Sequence, residues 1–110
     1  MDWQSEIQAE FDKAEKARTR GNGGQARVCA RRAAGIAARE YFARRGEHMH
    51  SPSAYDLLRL VSEDTAVPAA LRETAAHLTL RVDDEFKLPA GVDLIAEARR
   101  FCEGLIKVNT

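Results

Sequence analysis

The stretch GNGGQARVCARRAAGIAAREYFARRG, residues 21–46, constrains the fold more than any other part of the chain. From Gln25 to Arg45 it holds seven alanines and no proline, a composition with high helix propensity. The spacing predicts one long helix over about Gln25–Arg45, stopped by Gly46 and preceded by the turn Gly21-Asn22-Gly23-Gly24, whose residues tolerate left-handed backbone. At about 100° per residue, Ala26, Cys29, Ala30, Ala33, Ile36, Ala37 and Tyr41 gather on one side. Arg27, Arg31, Arg32, Arg39 and Arg45 gather on the other, with Val28, Gly35, Ala38 and Phe42 between them. Small side chains let a neighbouring helix approach closely, so the first face predicts the centre of a helical bundle.

The remaining segments carry the same periodicity. Trp3, Ile7, Phe11, Ala14 and Arg18 recur at steps of three and four in a first helix from Asp2, its expected N-cap, to about Arg18. Ser51-Pro52-Ser53 begins a third helix, in which Ser53 and Asp56 form a capping-box pair and Leu57, Leu58, Leu60 and Val61 are core candidates. Pro68 opens a fourth helix with the stripe Leu71, Ala75, Leu78, Val82, extending toward Phe86. Lys87-Leu88-Pro89-Ala90-Gly91 interrupts it. Asp93 caps a fifth helix with Ile95, Ala98, Cys102 and Leu105 inward. No segment reads as a strand. The expectation is an all-α, single-domain antiparallel bundle of about five helices over residues 1–110, since short connections favour antiparallel neighbours.

The formal net charge is zero over 110 residues, which removes any global attraction to nucleic acid or membrane. The charge is uneven, however. Residues 11–50 hold ten Lys or Arg against four acids, residues 51–110 hold seven against ten, and residues 1–10 hold three acids and no base. The basic side lies in the first half. Cys29 and Cys102 each fall on an apolar face and read as reduced, buried thiols. The acidic start MDWQSEIQAE lacks the apolar region of a secretory signal, and no run suits a bilayer span. The expected location is the cytoplasm.

The second helix's arginines have two readings of their own, and the interleaved Phe42 and Val28 give their face a third, partial burial under another helix or a second subunit. The arginines solvate or ion-pair a helix face, as charge runs usually do, or they offer planar donor forks to phosphate or carboxylate. Arg27, Arg31, Arg32 and Arg39 are the candidate ligand-binding residues. Phe42 among the arginines, and Leu80 opposite the fourth helix's stripe, are the places expected to touch a second copy.

ARVCARRAAGIAAREYFARRG followed by SAYDLLRLV resembles the HEPN family of small helical domains, in which a Gly-containing turn leads into a long Ala/Arg helix and then a Leu-rich segment. The tail LRETAAHLTLRVDDEF and PAGVDLIAEARRFCEGL is similar to the closing helix pair. The resemblance implies a four- or five-helix bundle, commonly dimeric. It also implies RNA cleavage, nucleotide binding, or toxin–antitoxin partnership with a small nucleotidyltransferase.

Ribonuclease members of that family carry Arg, four to six residues, then His. Histidine can move the ribose 2′-hydroxyl proton and arginine can stabilise the phosphate, without a metal. Arg72 and His77 fit the spacing, but Glu73 and Thr79 stand where the active pattern has an amide-like residue and an aromatic. Five helical positions also separate directions by about 140°. The Arg44–His50 and Arg45–His50 pairs fit the spacing too, in a loop before the third helix. Glu47, His48 and His50 lack the further ligands of a zinc site, so no metal or other cofactor is expected. The sequence thus supports a non-catalytic HEPN-like binding module for a nucleotide, an RNA or a protein partner such as a nucleotidyltransferase, expected as a homodimer and off the membrane. A metal-independent ribonuclease using Arg72 and His77 is the alternative, and a plain protein-interaction domain is the third reading.

Overall fold

A computed structural model describes residues 2–47, 53–79 and 93–108. Five helices form, α1 (Trp3–Thr19), α2 (Gly23–Arg44), α3 (Ala54–Glu63), α4 (Ala69–Thr79) and α5 (Leu94–Lys107), with no strand among the described residues. The extension of α4 toward Phe86, the break at 87–91, Leu80, Val82 and the loop His48–Pro52 lie outside the described residues.

Local chemistry sets the helix starts. Asp2 caps α1 by accepting from the Ser5 N–H at 2.7 Å. Ser53 caps α3 through the Asp56 N–H at 3.4 Å. Asp93 caps α5 by accepting from the Ile95 and Ala96 N–H groups, both at 3.1 Å. The turn before α2 is shorter than expected. Asn22 accepts from the Gln25 N–H at 3.0 Å, so Gly23 and Gly24 already belong to the helix and only Gly21, at φ 78°, takes left-handed backbone. Gly46, at φ 80°, follows the C-terminus of α2.

Helix α2 is the hub and packs against all four others. Ala26, Cys29, Ala30, Ala33, Ala37 and Tyr41 are buried as the wheel predicts, but so are Ala34, Gly35, Ala38 and Phe42. The arginine side of α2 is therefore only partly solvated: Arg32, Arg39 and Arg45 stay exposed, while the residues between the arginines are largely covered by α3 and α4. Phe42 packs edge-on against Tyr41 at 5.2 Å and is buried within its own chain, so it is not an outward contact for a second copy. Ile36, expected inside, is only partly buried, and Leu60 is exposed. Phe101 and Leu105 of α5, Leu57, Leu58 and Val61 of α3, and Phe11 of α1 supply the large apolar groups.

Side-chain pairs fix the helix directions. Glu6 meets Arg39, so α1 opposes α2. Ala54 lies on Gly35 while Asp64, just past α3, meets Arg45, so α3 runs in the same sense as α2. Cys102 donates to the Ala33 carbonyl at 3.7 Å and Arg44 to the Ile106 carbonyl at 3.3 Å, so α5 also runs with α2. The bundle is antiparallel between α1 and α2, α3 and α4, and α4 and α5, but not throughout.

The α2–α3 crossing is the tightest contact. A Cβ on Gly35 would stand 2.6 Å from the Ala54 Cβ and 2.8 Å from its Cα. Glycine-to-alanine normally gains a helix about 1 kcal/mol, yet overpacking costs about 1–3 kcal/mol, and here the obstruction includes backbone. At Gly104 the obstruction is the flexible tip of Leu71, 3.0 Å away. Gly35→Ala is therefore expected to lower the urea midpoint while Gly104→Ala leaves it nearly unchanged.

At the far end of this crossing, Arg45 Nη1 reaches Asp64 at 2.6 Å and the Tyr41 hydroxyl at 2.9 Å. Burial would raise the Asp64 carboxyl, but the Ala66 N–H and Arg45 outweigh it and hold it below its ordinary value. Asp93 is held low chiefly by the Ala96 N–H, with Arg18 assisting, and Asp2 chiefly by the Ser5 N–H. Carboxyls lowered by folding bind fewer protons folded than unfolded. Their stabilisation is present above the ordinary aspartate value of 3.8 and is lost as pH falls through the folded values. The melting temperature is expected to drop as pH falls below about 4, and Asp93→Asn to flatten that drop.

Candidate functional site

A cleft of about 500 Å³ opens where α1, α2 and the start of α3 meet, within the size range of small-molecule sites. Three of the four predicted binding residues line it: Arg31, Arg32 and Arg39. Arg31 and Arg32 are adjacent and Arg39 follows about two turns later on α2, with Gly35 on the same wall and Val28 and Ile36 adding apolar surface. Ser53, Ala54, Tyr55 and Leu57 of the α3 start form the facing wall, and Glu6 and Glu10 of α1 close it. The contact between Gly35 and Ala54 thus brings the two walls together.

The three guanidinium groups have different surroundings. Arg39 is exposed and pairs with Glu6 at 3.3 Å. Arg32 is exposed. Arg31 is partly buried, and its Nε donates to the Leu78 carbonyl of α4 at 2.7 Å. Burial, then the charge of Arg27, lowers its pKa, yet a guanidinium stays charged in a protein. No carboxylate pairs with Arg31 among the described residues. A partly desolvated cation without a counter-ion favours an incoming anion.

Arg27 is set apart from this trio. It lines a smaller cavity of about 270 Å³ beside Arg18, Asp93 and Ile95, where Asp93 already supplies the negative charge to Arg18 at 3.2 Å. The wheel placed Arg27 with the other arginines because it treats the helix as a cylinder in solvent. Neighbouring helices divide that arc into separate environments.

Arg72 and His77 are also directed apart. Arg72 Nε donates to the Val67 carbonyl at 3.0 Å, before the helix begins. His77 faces α5, with Nδ1 3.5 Å from Glu97 Oε2 and Nε2 3.9 Å from Glu73 Oε1. Helix α4 is regular from Ala69 to Thr79, so the two side chains keep the wide divergence of five helical positions. No group of residues suited to a metal occurs among those described. Both thiols are free and buried, and burial pushes that of Cys102 up to about 12, far from a reactive thiolate.

Glu6, Glu10 and Tyr55 are cleft residues that the sequence did not single out. A signal for the first two was present, since they lie four apart on one face of the most acidic segment. Tyr55 gave none, because its place depends on where α3 crosses α2. No helix of the described residues is long and apolar enough to cross a membrane. No protein-family model, curated protein or solved structure matches the chain.

Proposed function

We propose that the chain is a HEPN-like binding module that holds a phosphate-bearing ligand, either a free nucleotide or the backbone of an RNA, in the cleft between α1, α2 and α3. The observation carrying this reading is the convergence of Arg31, Arg32 and Arg39 on one cleft, with Arg31 partly buried and served by a carbonyl instead of a carboxylate. Guanidinium forks match phosphate oxygens in geometry as well as charge. Tyr55, Val28 and Ile36 offer a ring and apolar surface for a base, the usual complement to phosphate contacts in single-strand recognition. The family resemblance points the same way. Among the described residues that line the cleft there is no histidine or cysteine, and its guanidinium-rich chemistry suits holding a ligand.

Arg32 and Arg39 are the residues to alter, because Arg31 also ties α2 to α4. Against nucleoside monophosphates and a short single-stranded RNA, Arg32→Glu combined with Arg39→Glu is expected to weaken binding roughly hundredfold or more, at about 1.5–3 kcal/mol per charge-assisted contact. Calorimetric titration at several salt concentrations measures this, and the variant's salt dependence is expected to be shallower. Preference for the mononucleotide or for the RNA identifies the source of the phosphate. Undiminished binding in the double variant, or no binding of either ligand by the parent chain, would overturn the proposal. Cleavage of RNA in chelator that is lost in His77→Ala would move the function to α4.

A further inference from the structure

We infer that Glu10 is a specificity-determining residue of the cleft, accepting N–H donors from the base of a bound nucleotide, and that guanine is the base it fits. This rests on the nucleotide reading of the cleft. Glu10 lines the cleft beside the arginines, and its side chain is only 15% exposed. One carboxylate oxygen, Oε1, lies 3.4 Å from the Nζ of Lys13, whose side chain is 61% exposed. The other, Oε2, is buried and has no hydrogen-bond partner among the described residues. Buried carboxylate oxygens are rarely left without donors, because desolvation is then uncompensated. Glu6, one turn away, differs in already holding Arg39 at 3.3 Å. Glu10 is therefore the cleft acid held only by one exposed lysine, and a turn of its side chain toward the cleft would give Oε2 the donors it lacks.

The wall chemistry narrows the ligand. Guanidinium groups only donate and a carboxylate only accepts. An inorganic phosphate would satisfy the arginines but would face Glu10 with a like charge. A simple amine would satisfy Glu10 and be repelled by three arginines. The ligand that fits carries an anionic group at one end and N–H donors at the other, with a flat or apolar portion against Tyr55, Val28 and Ile36. A nucleotide has this form. Among the bases, adenine and cytosine place a ring-nitrogen lone pair beside the amino group on the pairing edge. Uracil flanks its single N–H with carbonyls. Guanine alone sets two N–H donors, N1 and N2, side by side, and so meets a carboxylate without opposing a lone pair.

Calorimetric titration of the full chain with guanosine, inosine and adenosine 5′-monophosphates and with ribose 5-phosphate tests this directly. Guanosine monophosphate is expected to bind about tenfold more tightly than the adenosine compound or ribose 5-phosphate, equivalent to about 1.4 kcal/mol. Inosine monophosphate, which keeps N1–H and lacks the 2-amino group, is expected between them. Glu10→Gln is expected to bring the four within about twofold of one another without weakening ribose 5-phosphate. Circular dichroism checks that the variant is folded, and the parent chain's own ranking decides the matter if it is not. Equal binding of all four by the parent, or a guanine preference that survives in folded Glu10→Gln, would overturn the role of Glu10 and leave the phosphate site standing. Failure of all four to bind the parent would overturn the role of Glu10, and the phosphate reading of the cleft falls with it if the single-stranded RNA also fails to bind.

Discussion

The close approach of α3 to α2 at Gly35 and Ala54 is the constraint from which the rest of the structure follows. With 2.6 Å between a hypothetical Gly35 Cβ and that of Ala54, the contact exists only because one partner has no side chain and the other has a methyl group. It draws α3 across a face of α2 that would otherwise be open. It buries Ala38 and Phe42 and brings Ser53 and Tyr55 opposite Arg31, Arg32 and Arg39. Packing and the candidate site thus share a single cause. The alanines of α2 extend the same logic around the helix, since four neighbours can share one central rod only when its side chains are short.

A second consequence concerns electrostatics. Arginines placed on a hub helix cannot all reach water in the same direction. Arg45 turns to Asp64 and Tyr41, Arg39 to Glu6, Arg44 to Glu40 and the α5 C-terminus, and Arg31 to the end of α4. Exposed pairs of this kind add little stability singly. Their effect is directional, because they set which guanidinium groups enter the cleft. Three arginines against two glutamates leave the cleft walls positive while the chain as a whole is neutral, so local field and net charge carry different information about a partner.

The elements themselves were plain in the sequence. Asp2, Ser53 and Asp93 cap the helices they were expected to cap, and Gly46 follows the helix it was expected to stop, because capping depends on atoms within three or four residues. The α5 stripe Ile95, Ala98, Cys102 and Leu105 is buried in full for a related reason, as a helix with one packed side follows its own period. Periodicity failed at α2. A wheel assumes one inside and one outside, whereas a central helix has neighbours around most of its circumference. Gly35, Ala38 and Phe42 were therefore assigned to an arginine face that α3 and α4 cover in part. Leu60 failed oppositely, being apolar in a helix too short to bury its whole circumference.

Chain chemistry alone determined that this protein is helical, where α1, α3 and α5 begin, and that α2 is its centre, since each follows from propensity, capping and side-chain size along a continuous stretch. Which arginines share a site was settled by packing. Arg31, Arg32 and Arg39 face Glu6, Glu10 and Tyr55, while Arg27 lies beside Asp93. Those neighbours come from segments up to dozens of residues away, and only the crossing of α3 over Gly35 brings them within reach.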